Sequence, residues 1–172
     1  MKFLAINPIP VKKRMIELLF DYLFILAYLI LLALGSFVYY LIFQKGMHQP
    51  TEFESQSITF FTSVLPITLL FTFLDYTKNG SFGKAKAGLQ LIYKKKTVQA
   101  ILIRNAIKFL PWQIGHMSAI HSVYSGFDLL YFILCYTSIL FLVVLLAMSI
   151  FRKDKRHLGD LLAHTQLQLK GE

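Results

Sequence analysis

The longest apolar run of the chain extends from Met15 to Phe43 and is interrupted only near its start, by Glu17 and Asp21. A helix that crosses a bilayer needs about 20 predominantly apolar residues, so this run is long enough to span a membrane with room to tilt. Further apolar runs follow along the chain, and hydrophobic residues make up 56% of it. We therefore predict an all-α membrane protein that forms a single domain over residues 1–172.

The region 98–125 is a fourth candidate span, and we expect an irregular helix there because it contains Pro111 and Gly115. Hydropathy alone would also fit a re-entrant or interfacial segment. The flanking segments 76–97 and 152–172 are rich in Lys and Arg, which favour the cytoplasmic side, and only a crossing between them satisfies both. A three-span chain with its C-terminus outside is the alternative. The predicted protein has both termini in the cytoplasm and four transmembrane helices, at about 15–43, 55–75, 98–125 and 128–151.

Two short stretches outside the apolar runs alternate like half-buried strands. They extend from Gly88 to Tyr93 and from Thr165 to Leu169. We expect them to pair as a small cytoplasmic β-ribbon, which needs packing against helices or lipid because two strands alone are marginally stable. No long internal repeat is visible, so a symmetric transport unit would require a homo-oligomer.

Charged residues at the start of the first span form one stripe. Arg14, Glu17 and Asp21 are spaced i, i+3 and i+7, so they share a helix face. A carboxylate inside a membrane is costly without a partner, which makes Asp21 a functional candidate. Arg104 lies at a matching depth in the candidate span 98–125. We therefore predict a buried Asp21–Arg104 ion pair, completed by Glu17, Arg14 or Lys108.

This predicted network has two interpretations: it holds the first helix to the third, or Asp21 carries protons or binds cations. Asp75 ends the second span and is expected to be solvated. For Asp160, a surface pair with Arg156 and a gating or docking role both remain open. His116 and His121 lie on different helix faces with no carboxylate near in sequence, so we interpret them as packing residues and predict no metal site.

Several of these features together resemble the RDD family of bacterial integral membrane proteins, whose name denotes one arginine and two aspartates. The resemblance covers about 10–169 and rests on Arg14, Asp21, the segment Gly80–Leu89, the pair Arg104-Asn105 and the segment Asp160–Thr165. The family usually has His immediately before its second Asp, where this chain has Gly159. The resemblance implies a multi-pass protein of the bacterial cytoplasmic membrane and a role in transport, with cation/proton exchange proposed for some members.

The residues support two classes of function. The first is a small transporter of cations, protons or a small amphiphile, with a charged site in the inner leaflet. The alternative is a non-transporting membrane module, such as an immunity, resistance or scaffolding protein, whose buried charges are structural. The candidate site residues for either class are Arg14, Glu17, Asp21, Arg104, Lys108 and Asp160.

No motif of an enzyme is present: the chain lacks a nucleophile elbow, a metal-ligand cluster and a phosphate-binding loop. We therefore expect no catalytic activity and no cofactor. The net charge of +9 is distributed between the apolar runs, which fits membrane topology better than nucleic-acid binding. Expected partners are the anionic headgroups of membrane lipids at the cytoplasmic basic residues, an unknown ion or small molecule, and a second copy of the chain.

Overall fold

The computed structural model of the protein describes residues 3–43 and 49–171, which are mostly helical. The helices are α1 (Val11–Phe43), α2 (Glu52–Thr59), α3 (Leu65–Lys78), α4 (Phe82–Lys86), α5 (Val98–Ser125), α6 (Leu129–Phe151) and α7 (Leu158–Leu162). A π-helical segment, Phe60–Val64, joins α2 and α3 into one continuous helix. The strands are β1 (Leu89–Tyr93) and β2 (Thr165–Leu169).

Among the described residues, three helices are long and apolar enough to cross a membrane: α1, the continuous helix Glu52–Lys78, and α6. The predicted all-helical membrane architecture is confirmed to this extent. The fourth long helix, α5, has 28 residues and is continuous through Pro111, so the irregularity predicted for it is wrong. A proline is tolerated inside such a helix because a neighbouring helix satisfies freed backbone groups, and here the Ser138 hydroxyl of α6 donates to the Pro111 carbonyl. At Gly115 an added Cβ would come within 3.1 Å of the Ser138 hydroxyl oxygen.

The two strands form the predicted ribbon, with antiparallel pairing and Leu91 opposite Leu167 at its centre. One face of the ribbon packs in a small apolar core with Ile9 and Ala87. The start of α1, the end of α3, the start of α5 and the end of α6 all meet near this ribbon. We call this side of the helix bundle the ribbon end.

Each strand of the ribbon is preceded by a short helix, and the two helix–strand units repeat one backbone design. In the first helix–strand unit (81–93) the N-cap of the short helix is Ser81, and in the second (157–169) it is His157. Later residues correspond at the same offset. Gly88 and His164, which precede the strands, both have positive φ, of 66° and 49°.

Hydrogen bonds between the strands relate the two units by an approximate two-fold axis. The Lys94 amide donates to the His164 carbonyl at 3.1 Å, and the equivalent Lys170 amide donates to the Gly88 carbonyl at 2.9 Å. The identical residue pairs of the two units are Gly83 and Gly159, Ala87 and Ala163, Gln90 and Gln166, and Leu91 and Leu167. The repeat was not visible as a long sequence repeat because most of its positions differ in residue type.

Candidate functional site

A network of buried charges fills the ribbon end of the bundle. Its four cations and four anions are Arg14, Lys84, Arg104, Lys108, Glu17, Asp21, Asp75 and Asp160. All but Lys108 have at most 5% of their surface exposed, and the side chain of Lys108 is 18% exposed. The formal charges cancel, which burial requires because an unpaired ion inside a protein is costly. All six sequence-predicted site residues lie in this network.

Arg104 on α5 occupies the centre of the network. Its Nε donates to Asp160 at 2.6 Å, and one of its terminal nitrogens donates to Asp75 at 3.0 Å. The neighbouring Asn105 also donates to Asp75, at 3.2 Å. An arginine shared between two carboxylates joins α5 to α3 and to α7 with charge-assisted hydrogen bonds.

Asp75 at the end of α3 is fully buried, so the expectation that it is solvated is wrong. Besides the bond from Arg104, it accepts a hydrogen bond from the Lys84 ammonium at 3.1 Å. Lys84 is itself fully buried and lies 3.8 Å from the Glu17 carboxylate. In the sequence, Lys84 is marked only as one of the basic residues of the segment 76–97, because its burial depends on the short helix α4 folding back against α1.

The predicted Asp21–Arg104 ion pair is not formed. Asp21 instead accepts hydrogen bonds from the Lys108 ammonium at 3.1 Å, the Ser81 hydroxyl at 3.0 Å and the Gly83 amide at 3.0 Å. The prediction rested on the similar depths of Asp21 and Arg104 in their helices, and it did not take the α4 segment into account. That segment supplies two donors to Asp21, and Asp75 and Asp160 together occupy the guanidinium of Arg104.

Gly83 is the point where α4 touches α1. A Cβ added there would lie 2.1 Å from the Glu17 carbonyl oxygen and 2.7 Å from an Asp21 carboxylate oxygen. No real side chain tolerates the first distance, so only glycine permits this contact. Arg14, Glu17 and Asp21 share the buried face of α1, as their spacing predicted, and the Arg14–Glu17 pair measures 2.7 Å.

Asp160 is fully buried, so the surface pair with Arg156, one of the two alternatives left open for it, is not formed; Arg156 donates to the Asp160 backbone carbonyl instead. Burial favours a raised pKa for Asp160, but the Arg104 charge outweighs it and holds the pKa below its usual range. Burial lowers the pKa of His157 to about 3, against the opposing effect of Asp160. His157 is therefore neutral, with its Nε2 at 3.3 Å from the Asp160 carboxylate.

A groove of about 670 Å³ extends from this network along the apolar part of the bundle, between α1, α5 and α6. Its walls are almost entirely apolar and include Leu26, Trp112 and Leu142. At its ribbon end it reaches Lys108 and Asp21. Lys108 is the more accessible of the pair, because its side chain is 18% exposed and that of Asp21 is 3% exposed.

The opposite end of the bundle has a smaller polar cluster. The two ring nitrogens of His121 contact Glu52 at 2.9 Å and Asp128 at 3.1 Å. The carboxylates come from α2 and from the N-cap of α6, so the sequence, which shows no acid near His121 within its own helix, did not indicate them. Within residues 3–43 and 49–171, no group of three or more His, Cys, Asp or Glu side chains is arranged to hold a metal ion.

Comparisons with known proteins give one match. The family model described as "RDD family" matches residues 9–164, a range that contains every charge of the buried network. Searches of curated proteins and of solved structures found no match to this chain.

Proposed function

The chain belongs to the RDD family, and from that premise we propose that it is a multi-pass membrane protein with four spans and cytoplasmic termini. Support for α5 as the fourth span comes from its 28-residue length and from its antiparallel packing between α3 and α6. The basic segments on either side of α5 and α6 both lie at the ribbon end, which fits a cytoplasmic location for that end. The groove then opens in the inner half of the membrane.

Within that membrane, we propose that the protein binds and moves a small amphiphile with an anionic headgroup. The observation that carries this proposal is the apolar groove of about 670 Å³ that ends at Lys108. Its volume lies in the range of pockets that hold small molecules, about 300–1,000 Å³. An apolar tail would occupy the walls, and the headgroup would meet the charge at the ribbon end.

The sign of the headgroup follows from which charge is accessible. The Asp21 carboxylate is 3% exposed and already accepts three hydrogen bonds, so it offers little to a cation. The Lys108 ammonium has three donor hydrogens, and Asp21 accepts from it at 3.1 Å. Its Nζ also lies 4.6 Å from the centroid of the Phe71 ring. A carboxylate or phosphate headgroup therefore complements this end of the groove.

Binding of a fluorescent long-chain carboxylate to the protein in neutral-lipid nanodiscs tests the proposal. We expect Lys108→Met to weaken binding about tenfold, which corresponds to about 1.4 kcal/mol. Lys108→Arg should keep most of the affinity, because it keeps the charge. Lys96→Met is the matched control, since Lys96 contacts the exposed Asn79 side chain outside the groove. Equal affinity for the corresponding long-chain alcohol and quaternary ammonium would contradict the proposal.

A non-transporting module is the second candidate, and a specific observation favours it. Seven buried charges and the partly exposed Lys108, which cancel and pair within the ribbon end, are what a purely structural network needs. Proteoliposomes separate the two candidates. A transporter moves the carboxylate across the bilayer at a rate that falls in Lys108→Met, whereas a structural module gives the same leak as empty vesicles.

A further inference from the structure

The N-terminal segment 3–9 lies across the second helix–strand unit, and backbone groups of the segment make the hydrogen bonds that hold it there. The side-chain amide of Gln166 donates to the Leu4 carbonyl at 2.8 Å and accepts from the Leu4 amide at 2.8 Å. The backbone amide of Asn7 donates to the Lys153 carbonyl at 2.8 Å. Gln166 is fully buried under this segment. The second unit is thus a surface that binds a peptide segment through its backbone groups.

The equivalent surface of the first helix–strand unit is open. Gln90 stands at the position of Gln166, is half-buried, and donates one long hydrogen bond of 3.4 Å to the Leu169 carbonyl. Beside it is a cavity of about 400 Å³, whose lining includes Lys78, Gly80 and Lys170. Gly80 corresponds to Arg156, whose guanidinium lies 5.0 Å from the Phe3 ring in the occupied surface. Gly80 has no side chain, so the open surface lacks the contact that Arg156 makes in the occupied one.

We propose that this open surface binds an extended, acidic peptide segment of a partner protein. A glutamine amide offers one acceptor and a pair of donors, so it pairs with a peptide backbone as a strand edge does. Gln90 carries that function here, because the equivalent Gln166 already performs it for Leu4. The chain's own N-terminal segment is seated on the second unit, so the occupant comes from another chain.

Charge determines the kind of peptide. Lys78 and Lys170 line the cavity, and its lining contains no acidic residue. Just before the second unit, Asp154 stands at the position that Lys78 has before the first, and it lines the corresponding cavity with Arg152 and Arg156. The open surface is therefore the more uniformly basic of the two, and its ligand is acidic where the chain's own segment is apolar.

Fluorescence anisotropy with the full-length protein in neutral detergent tests this proposal. The probe is a labelled synthetic peptide with the sequence of residues 3–9 and two added glutamates at its C-terminal end. We expect saturable binding to one site, about tenfold weaker in Gln90→Ala, because the backbone pair is lost. Lys78→Glu should abolish binding and should create binding of the same peptide with two lysines in place of the glutamates.

Gln166→Ala is the matched control, because it changes the equivalent residue of the occupied surface. Its thermal unfolding and that of Gln90→Ala verify that both variants are folded. A loss of peptide binding in Gln166→Ala but not in Gln90→Ala would mean that the peptide only replaces the N-terminal segment, which overturns the proposal. Absence of saturable binding by the wild type overturns it too. So does binding to anionic vesicles that depends on Lys78 and is unchanged in Gln90→Ala, which would identify a lipid surface instead.

Discussion

The two helix–strand units share a backbone but have opposite charges at the corresponding position of their short helices. Lys84 of the first unit corresponds to Asp160 of the second, and both are fully buried. Lys84 faces carboxylates, whereas Asp160 faces the Arg104 guanidinium. The same fold thus buries a cation on one side and an anion on the other, because each partner helix supplies the opposite charge.

The inversion extends to the helices on which the units pack. A Cβ at Gly83 would meet the Glu17 carbonyl, and a Cβ at Gly159 would meet the Arg104 carbonyl, so Glu17 and Arg104 are equivalent in position and opposite in charge. One turn further along lie Asp21 and Lys108, which pair with each other at 3.1 Å. We call the first unit with α1 one half and the second unit with α5 the other half. Because equivalent positions carry opposite charges, the two halves attract each other, whereas two copies of the same half would repel. This pattern gives the internal pairing its specificity.

Asp75 has no charged counterpart at the equivalent position beside the second unit. The residue at the same offset from the second unit is Phe151, the last residue of α6, which is apolar and 82% exposed. Asp75 connects the cation of the first unit, Lys84, with Arg104, the cation that holds the second. Together with the Asp21–Lys108 pair, this carboxylate on α3 joins the buried charges of the two units.

The largest effect on this arrangement is expected from Asp75→Asn. It leaves two buried cations without a shared anion, and removing one partner of a buried pair costs about 3–5 kcal/mol. We expect a loss of this size in the free energy of unfolding of the detergent-solubilised protein. Asp154→Asn is the control: its partner Arg152 has a side chain 42% exposed, and such pairs contribute about 1 kcal/mol or less. Equal losses in the two variants would show that Asp75 does not join the halves.

Sequence patterns predicted the parts of this arrangement that depend on local periodicity. The stripe of Arg14, Glu17 and Asp21 follows from helical spacing, and the ribbon follows from alternation in two short stretches. The partners of those residues did not follow. Lys84 and Asp75 are nine positions apart, and the Asn79-Gly80 pair between them marks a turn, where Asn79 has a φ of 53°. A turn does not specify which helix the following segment packs against, so the burial of Lys84 and Asp75 could not be predicted.

A smaller effect, still specific to one unit, is expected from Gly83→Ala. The added Cβ would lie 2.1 Å from a backbone carbonyl, against 2.7 Å for Gly159→Ala. Overpacking costs about 1–3 kcal/mol, so we expect the free energy of unfolding to fall by about 3 kcal/mol in Gly83→Ala and by about half of that in Gly159→Ala. Thermal unfolding in detergent measures both.

Gly35→Ala is the matched control for these variants. A Cβ at Gly35 has nothing within 4 Å, so this change should leave stability the same or raise it by up to about 1 kcal/mol through helix propensity. If Gly159→Ala proved more damaging than Gly83→Ala, the α7 contact rather than the α4 contact would be the tighter of the two.

The smallest expected effect is a pH dependence that only the second unit possesses. The first unit has Ser81 as its N-cap, whereas the second has His157, whose pKa is lowered by burial from 6.5 to about 3. Between these values the unfolded chain binds a proton that the folded protein does not. Stability is therefore lost as the pH falls from above 6.5 toward 3, by up to about 1.4 kcal/mol per pH unit.

Replacing His157 with the residue of the first unit, in His157→Ser, isolates this contribution. Between about pH 7.5 and 5.5 the wild type should lose about 1 kcal/mol more unfolding free energy than the variant, because the other histidines are common to both proteins. Asp160 contributes to neither slope in this range, since its lowered pKa keeps it ionised in the folded protein and its ordinary pKa of 3.8 keeps it ionised in the unfolded chain. Parallel pH profiles would mean that His157 gains its proton in the folded protein as easily as in the unfolded chain. The two N-caps would then differ in residue type without differing in electrostatics.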